Sequence, residues 1–136
     1  MNNHNLHANI AYIAYRLITG RKIASLYKIS DILESRNTDI TSHLDNEFIR
    51  DFDEKHREYT PGYSNNCNYN FTSQTGDSFD IFINEQNFVL HIRGSSSYFI
   101  GNIWDDKIYI HDHRASSHCR YKILKCVEED EKAEKF

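Results

Sequence analysis

From Asn9 to Gly20 the chain reads "NIAYIAYRLITG", with Ile10, Ile13, Ala14, Leu17 and Ile18 recurring at spacings of three and four. This is the period of a helix with one apolar stripe, so the spacing predicts a helix over 5–19. Asn5 or Asn9 can cap its start, and Gly20 tolerates the left-handed backbone that ends many helices. A stripe of this width is expected to pack on a sheet rather than on a membrane surface.

After Gly20 the period changes. Setting "VLHIRGSSSYFIGNI" (89–103) over "YIHDHRASSHCRYKI" (109–123) aligns His91 with His111, Ser96 with Ser116, Ser97 with Ser117 and Ile103 with Ile123, a repeat of about twenty residues. The same step relates four polar dipeptides: Asp45-Asn46, Asn65-Asn66, Glu85-Gln86 and Asp105-Asp106. Midway lie further polar clusters, beginning at Glu54, Gln74, Gly94 and Arg114. Turns about every ten residues between Tyr-, Phe- and Ile-rich stretches predict short antiparallel strands joined as hairpins, one hairpin per repeat.

Strand periodicity of two then sorts the residues by face. In the second strand of each unit the apolar phase runs through Tyr59 and Tyr63, then Phe79, Ile81 and Ile83, then Phe99 and Ile103, then Cys119, Tyr121 and Ile123. In the first strands Phe88, Leu90 and Ile92 agree with Ile108 and Ile110, whereas Tyr69 and Phe71 stand one residue out of step, which predicts a slip or bulge there. The opposite, outward phase carries Val89, Tyr109 and, in the unshifted register, Tyr69.

The expected fold is therefore mainly β: an N-terminal helix packed on repeated antiparallel hairpins that form a barrel-, roll- or flower-like domain. Hairpin repeats cover about 45–125, 25–45 is a degenerate copy in which "SLYKI" reads as strand and "SDILESR" equally as a helical turn, and 127–136 is a charged tail. A chain of 136 residues fits one domain, here 1–126.

Composition narrows the classes. Hydrophobic residues at 39% and charged ones at 26% suit a folded chain, and no apolar run reaches the length of a membrane span. A net charge of -4 with scattered basic residues argues against nucleic acid as a partner. Cys67, Cys119 and Cys126 are odd in number and widely spaced, which reads as free thiols in the cytoplasm. The Asn70-Phe71-Thr72 sequon is discounted on the same ground.

The opening "IAYRLITGRKIASLYKI" and the last repeat "HDHRASSHCRYKI", with "DFDEKHREY" (51–59) as a weaker copy, resemble small bacterial β-flower-type repeat proteins. The resemblance implies a helix followed by short β repeats and brings no catalytic residue with it. Where those repeats carry aromatics around the aspartate, this chain has His111 and His113.

"HDHRASSHC" (111–119) packs three histidines and a cysteine into nine positions. Residues 111 and 113 share one strand face, and with repeats side by side His91 would neighbour His111. Three imidazoles so placed could hold zinc with an open position for water. The core phase of Ile108 and Ile110 turns these histidines outward, which favours surface rings over a metal site. Cys119 and His118 point to opposite faces and cannot share a proton as nucleophile and base. The expectation is a non-enzymatic protein-interaction module of a bacterium or its phage, of immunity- or inhibitor-like kind, binding a protein through His91, Tyr109, His111, His113 and Trp104 without a cofactor. The alternatives are a metal-dependent hydrolase using zinc at His91, His111 and His113, and a carbohydrate-binding module using Tyr109 or Trp104.

Overall fold

A computed structural model describes residues 3–29, 46–55, 67–73 and 76–127. Helix α1 (Asn3–Thr19) leads into strand β1 (Ile23–Ile29), and helix α2 (Asn46–Lys55) precedes six strands. These are β2 (Cys67–Thr72), β3 (Ser78–Asn84), β4 (Asn87–Ile92), β5 (Tyr98–Trp104), β6 (Lys107–Asp112) and β7 (Ser117–Cys126). All seven strands pair antiparallel in one open sheet of order β1-β7-β6-β5-β4-β3-β2. The sheet is mainly a meander, carries its helices on one face, and is not closed into a barrel. Its two edges are β1 and β2.

The meander follows from the turns. Glu85-Gln86 and Asp105-Asp106 close two-residue hairpins between Asn84 and Asn87 and between Trp104 and Lys107. In each, the first turn residue takes a positive φ of 60°, a left-handed conformation that lets so short a link match the twist of its strands. The strands then alternate, and in β5 every second residue from Phe99 is buried while those between are exposed. Phe79, Ile81, Ile83, Phe99, Ile103, Cys119, Tyr121 and Ile123 are all buried, as the repeat phase predicts. Tyr59 and Tyr63 lie outside the described residues.

Three expectations change. The span proposed as the first hairpin is helical over its described part: Asn46 opens α2, and Glu54 and Lys55 close it. Phe48, Ile49 and Phe52 stand at helical spacing, and both phenylalanines are buried. The β2–β3 ladder also runs from Cys67↔Ile83 to Thr72↔Ser78 without a register shift, so no bulge interrupts these two strands. Register irregularities occur instead between Ile23 and Leu26, where β1 meets β7. Finally, Tyr69 and Phe71 face the core, and Tyr69 packs edge-on against Phe52 at 6.0 Å.

The core has two parts. Under β2 and β3, α2 inserts Phe48 and Phe52 against Phe71 and Phe79, with ring centroids 5.1–5.7 Å apart in edge-on geometry. Such contacts add to what the buried area alone contributes. Helix α1 lies nearer β6, β7 and β1 and is buried almost all round between His7 and Tyr15, a broader burial than one stripe. Its stripe residues Ile10, Ile13, Ala14 and Leu17 are buried and Ile18 partly so. Tyr12 joins the two helices by donating its hydroxyl hydrogen to the Asp53 carboxylate, whose oxygens lie 2.8 and 3.0 Å away. Arg16 Nε is 3.6 Å from the same group. Gly20 (φ 81°) ends α1 with its N–H on the Arg16 carbonyl at 2.8 Å.

Gly101 is required by packing. It sits opposite Phe88 and Ile110 on the core face. A Cβ there would lie 2.6 Å from the Phe88 ring and 2.1 Å from the Tyr109 carbonyl oxygen. The ring of Phe88 occupies the space that a side chain would take.

Candidate functional site

With both helices on one face, the other face is left to solvent among the described residues. Cross-strand partners share a face, so the ladders give its rows directly. One row runs Asn68, Phe82, Val89, Ile100, His111, His118 from β2 to β7. A second runs Asn84, Asn87, Asn102, Tyr109, Arg120. A third runs Asn70, Asp80, His91, Tyr98. Phe82, Val89, Ile100 and Trp104 are 48%, 37%, 47% and 69% exposed, so large apolar side chains stand in water in the middle of a polar surface.

This places the sequence-predicted residues. His91, Tyr109 and His111 do lie on the outward face, half-buried among their neighbours, and Trp104 ends β5 on the same face. His113 is exposed in the turn after β6. His91 does not neighbour His111, because a twenty-residue repeat spans two strands. Strand β5 separates β4 from β6, which puts equivalent positions about 9.6 Å apart.

The histidines gather in two groups instead. His91 stacks on Tyr98 (4.6 Å, 24°) and donates from Nε2 to the Ser95 carbonyl at 2.9 Å. His111 stacks on His118 across the β6–β7 ladder (4.4 Å, 20°) and meets the His113 ring edge-on at 6.2 Å. His118 Nδ1 shares a hydrogen bond with the Tyr109 hydroxyl. Among the described residues no group of three or more His, Cys, Asp or Glu is placed to hold a metal ion. Cys119, on the core face, has its thiol pushed up by burial, the reverse of an activated nucleophile.

A further pair was not anticipated. Asp112 follows Ile108 and Ile110 in core phase and is buried, where His7 Nε2 donates to its Oδ2 at 3.0 Å. The Ala115 N–H donates to Oδ1 at 3.1 Å. Burial alone would raise this carboxyl, but the His7 bond and the backbone donors at Ala115 and Arg114 outweigh it and hold the group below its ordinary value. The aspartate thus ties α1 to the β6–β7 turn. The strand phase showed that Asp112 faces inward, and a buried carboxylate requires a partner. Nothing local in the sequence names His7, which is 105 positions away.

On the outward face, toward the β2 edge, Asp80 accepts from Arg93 through Nε (3.2 Å) and Nη2 (2.8 Å), and from the Asn70 amide. Arg93 and then Asn70 hold its carboxyl below the usual carboxylate range. These residues border a depression of about 470 Å³ whose lining includes Asn68, Phe82, Val89 and His91.

No protein-family model, curated protein or solved structure matches this chain. No helix among the described residues is long and apolar enough to cross a membrane.

Proposed function

We propose that the chain is a non-enzymatic binding module that engages a protein partner through the outward face of its sheet. The observation that carries the reading is the contiguous row Phe82, Val89, Ile100, exposed over three adjacent strands, with asparagines along one side and the paired Asp80 and Arg93 at the β2 end of the other. Protein interfaces combine this kind of charge-poor, aromatic centre with a polar rim. Ile100 is opposite both Val89 and His111 and lies between His91 and Tyr109, so it marks the centre of the surface. The reading takes the chain to work in the cytoplasm of a bacterium or its phage as an immunity- or inhibitor-like protein. Kinship with β-flower-type repeat proteins belongs to the same proposal, supported by a helix followed by two-strand repeats.

The test is capture of partners from the native host with wild type and Ile100→Glu. Ile100 is exposed, so the substitution should leave the circular dichroism spectrum and melting temperature nearly unchanged. One protein held by the wild type and lost by Ile100→Glu is the expected result. Equal recovery with both chains would exclude this face.

A further inference from the structure

The outward face is not uniform. Near the β2 edge it is hollowed where Asn68, Asn70, Asp80, Phe82, Val89 and Arg93 meet, and the volume of about 470 Å³ falls within the range of small-ligand sites. Its chemistry is mixed in a specific way. On one side Phe82 and Val89, directly opposite each other in the β3–β4 ladder, present an apolar floor. On the other, a carboxylate, a guanidinium and two amides present planar donors and acceptors.

Asp80 and Arg93 offset each other in the hollow. They form a two-point ion pair at 2.8 and 3.2 Å, which fixes the carboxylate plane, while His91, also in the lining, is held by the Ser95 carbonyl and stacked on Tyr98. An anion would meet Asp80, and a cation would meet Arg93. A wholly apolar ligand would strip water from both and return no hydrogen bonds. A neutral ligand with hydroxyl groups on its rim and a C–H face fits every part of the lining. Asn70 gives its amide N–H to Asp80, leaving its carbonyl oxygen to accept. Asn68 is exposed and shares the face with Phe82. Arg93 is 58% exposed and uses Nε and Nη2 on Asp80, which leaves it further N–H groups to donate.

We propose that this hollow binds a neutral pyranose sugar, with the ring's C–H face on Phe82 and Val89 and its hydroxyls on Asp80, Arg93 and the amides of Asn68 and Asn70. The position differs from Tyr109 and Trp104, the residues at which the sequence suggested sugar contact. Those two lie on β6 and at the end of β5, away from the hollow. The hollow shares Phe82 and Val89 with the row proposed to meet a protein partner but does not include Ile100, so Ile100→Glu should leave sugar binding intact and separates the two readings.

The experiment is an amide-resolved NMR titration of the full chain with the methyl pyranosides of glucose, galactose, mannose and N-acetylglucosamine, alongside adenosine and inorganic phosphate. At least one sugar should move amides in 68–70, 80–82 and 89–93 saturably, with a Kd of the order of 1–10 mM for so open a site. Phe82→Ala and Asp80→Asn should each weaken that binding about tenfold or more, a change equal to one or more decades in Kd. Trp104→Ala should leave it unchanged. Asp80→Asn keeps the side-chain shape, and the same spectra report whether each variant is folded. No movement with any of the four sugars, a response to adenosine or phosphate alone, shifts centred on Trp104, or folded variants that bind like the wild type would each overturn the proposal.

Discussion

The two faces of the sheet are built from the same strands, one residue apart, and both carry large apolar side chains. On the inner face Leu90, Ile108 and Ile110 are fully buried, the last two on β6 against α1, and Phe79 lies under α2. On the outer face Val89, Ile100 and Phe82 remain in water. Hydrophobicity therefore does not distinguish the faces; being covered does. An apolar residue stabilises the fold by the area it removes from water, so an uncovered one contributes little to it.

The largest test of that contrast is Ile110→Ala against Ile100→Ala, two substitutions of the same residue type on neighbouring strands. The first removes a fully buried side chain, and comparable changes cost about 2–5 kcal/mol in chemical denaturation. The second should fall within about 0.5 kcal/mol of wild type. Equal losses would mean that the outward face is covered in solution.

Next in size is Asp112, a polar residue on the inner face held by His7 and the Ala115 amide. Hydrogen bonds to a charged group are worth about 1.5–3 kcal/mol, and Asp112→Asn should lose much of that. Its folded carboxyl titrates below its ordinary value. The stability it adds is thus present above the unfolded value of about 3.9 and is lost as pH falls through the lower folded value. The advantage of wild type over Asp112→Asn should therefore shrink below about pH 4. An advantage that grew on acidification would reverse the sign.

Gly101→Ala probes the inner face from the backbone side. The added methyl meets Phe88 and the Tyr109 carbonyl, and overpacking of this kind costs about 1–3 kcal/mol. Phe88→Leu, combined with Gly101→Ala, should recover part of the loss, which a purely backbone effect would not allow. The smallest expected change is a gain. Asp105 holds a φ of 60° in its two-residue turn, so Asp105→Gly should stabilise by up to about 1 kcal/mol in a thermal melt. An unchanged or lower melting temperature would show that the turn residue contributes more than its backbone conformation costs.

Much of this architecture was legible in the chain. The Ile10–Leu17 stripe gave α1, the twenty-residue repeat gave the β4–β5 and β6–β7 hairpins, and the period of two assigned their inner residues correctly. The repeat was extended too far back. Asp45-Asn46 and Glu54-Lys55 fitted its turn spacing, yet Phe48, Ile49 and Phe52 fit a helical face, and α2 forms because that face covers Phe71 and Phe79. The local signal was ambiguous there, and the aromatic surface of β2 and β3 decided it.

Local sequence by itself determined the helix, the hairpins and the facing of alternate residues, because these follow from periods of 3.6 and 2 and from turns a few residues long. Tertiary structure alone decided that the sheet stays open, that β1 joins the last strand, and that equivalent histidines of successive repeats stand two strands apart. It also decided that His7 meets Asp112, and that Asn70, Asp80 and Arg93 converge on one hollow. Each of those outcomes depends on contacts between segments distant along the chain, whose energy is set by how layers pack and by which polar groups remain to be satisfied once they have packed, and no local period encodes that.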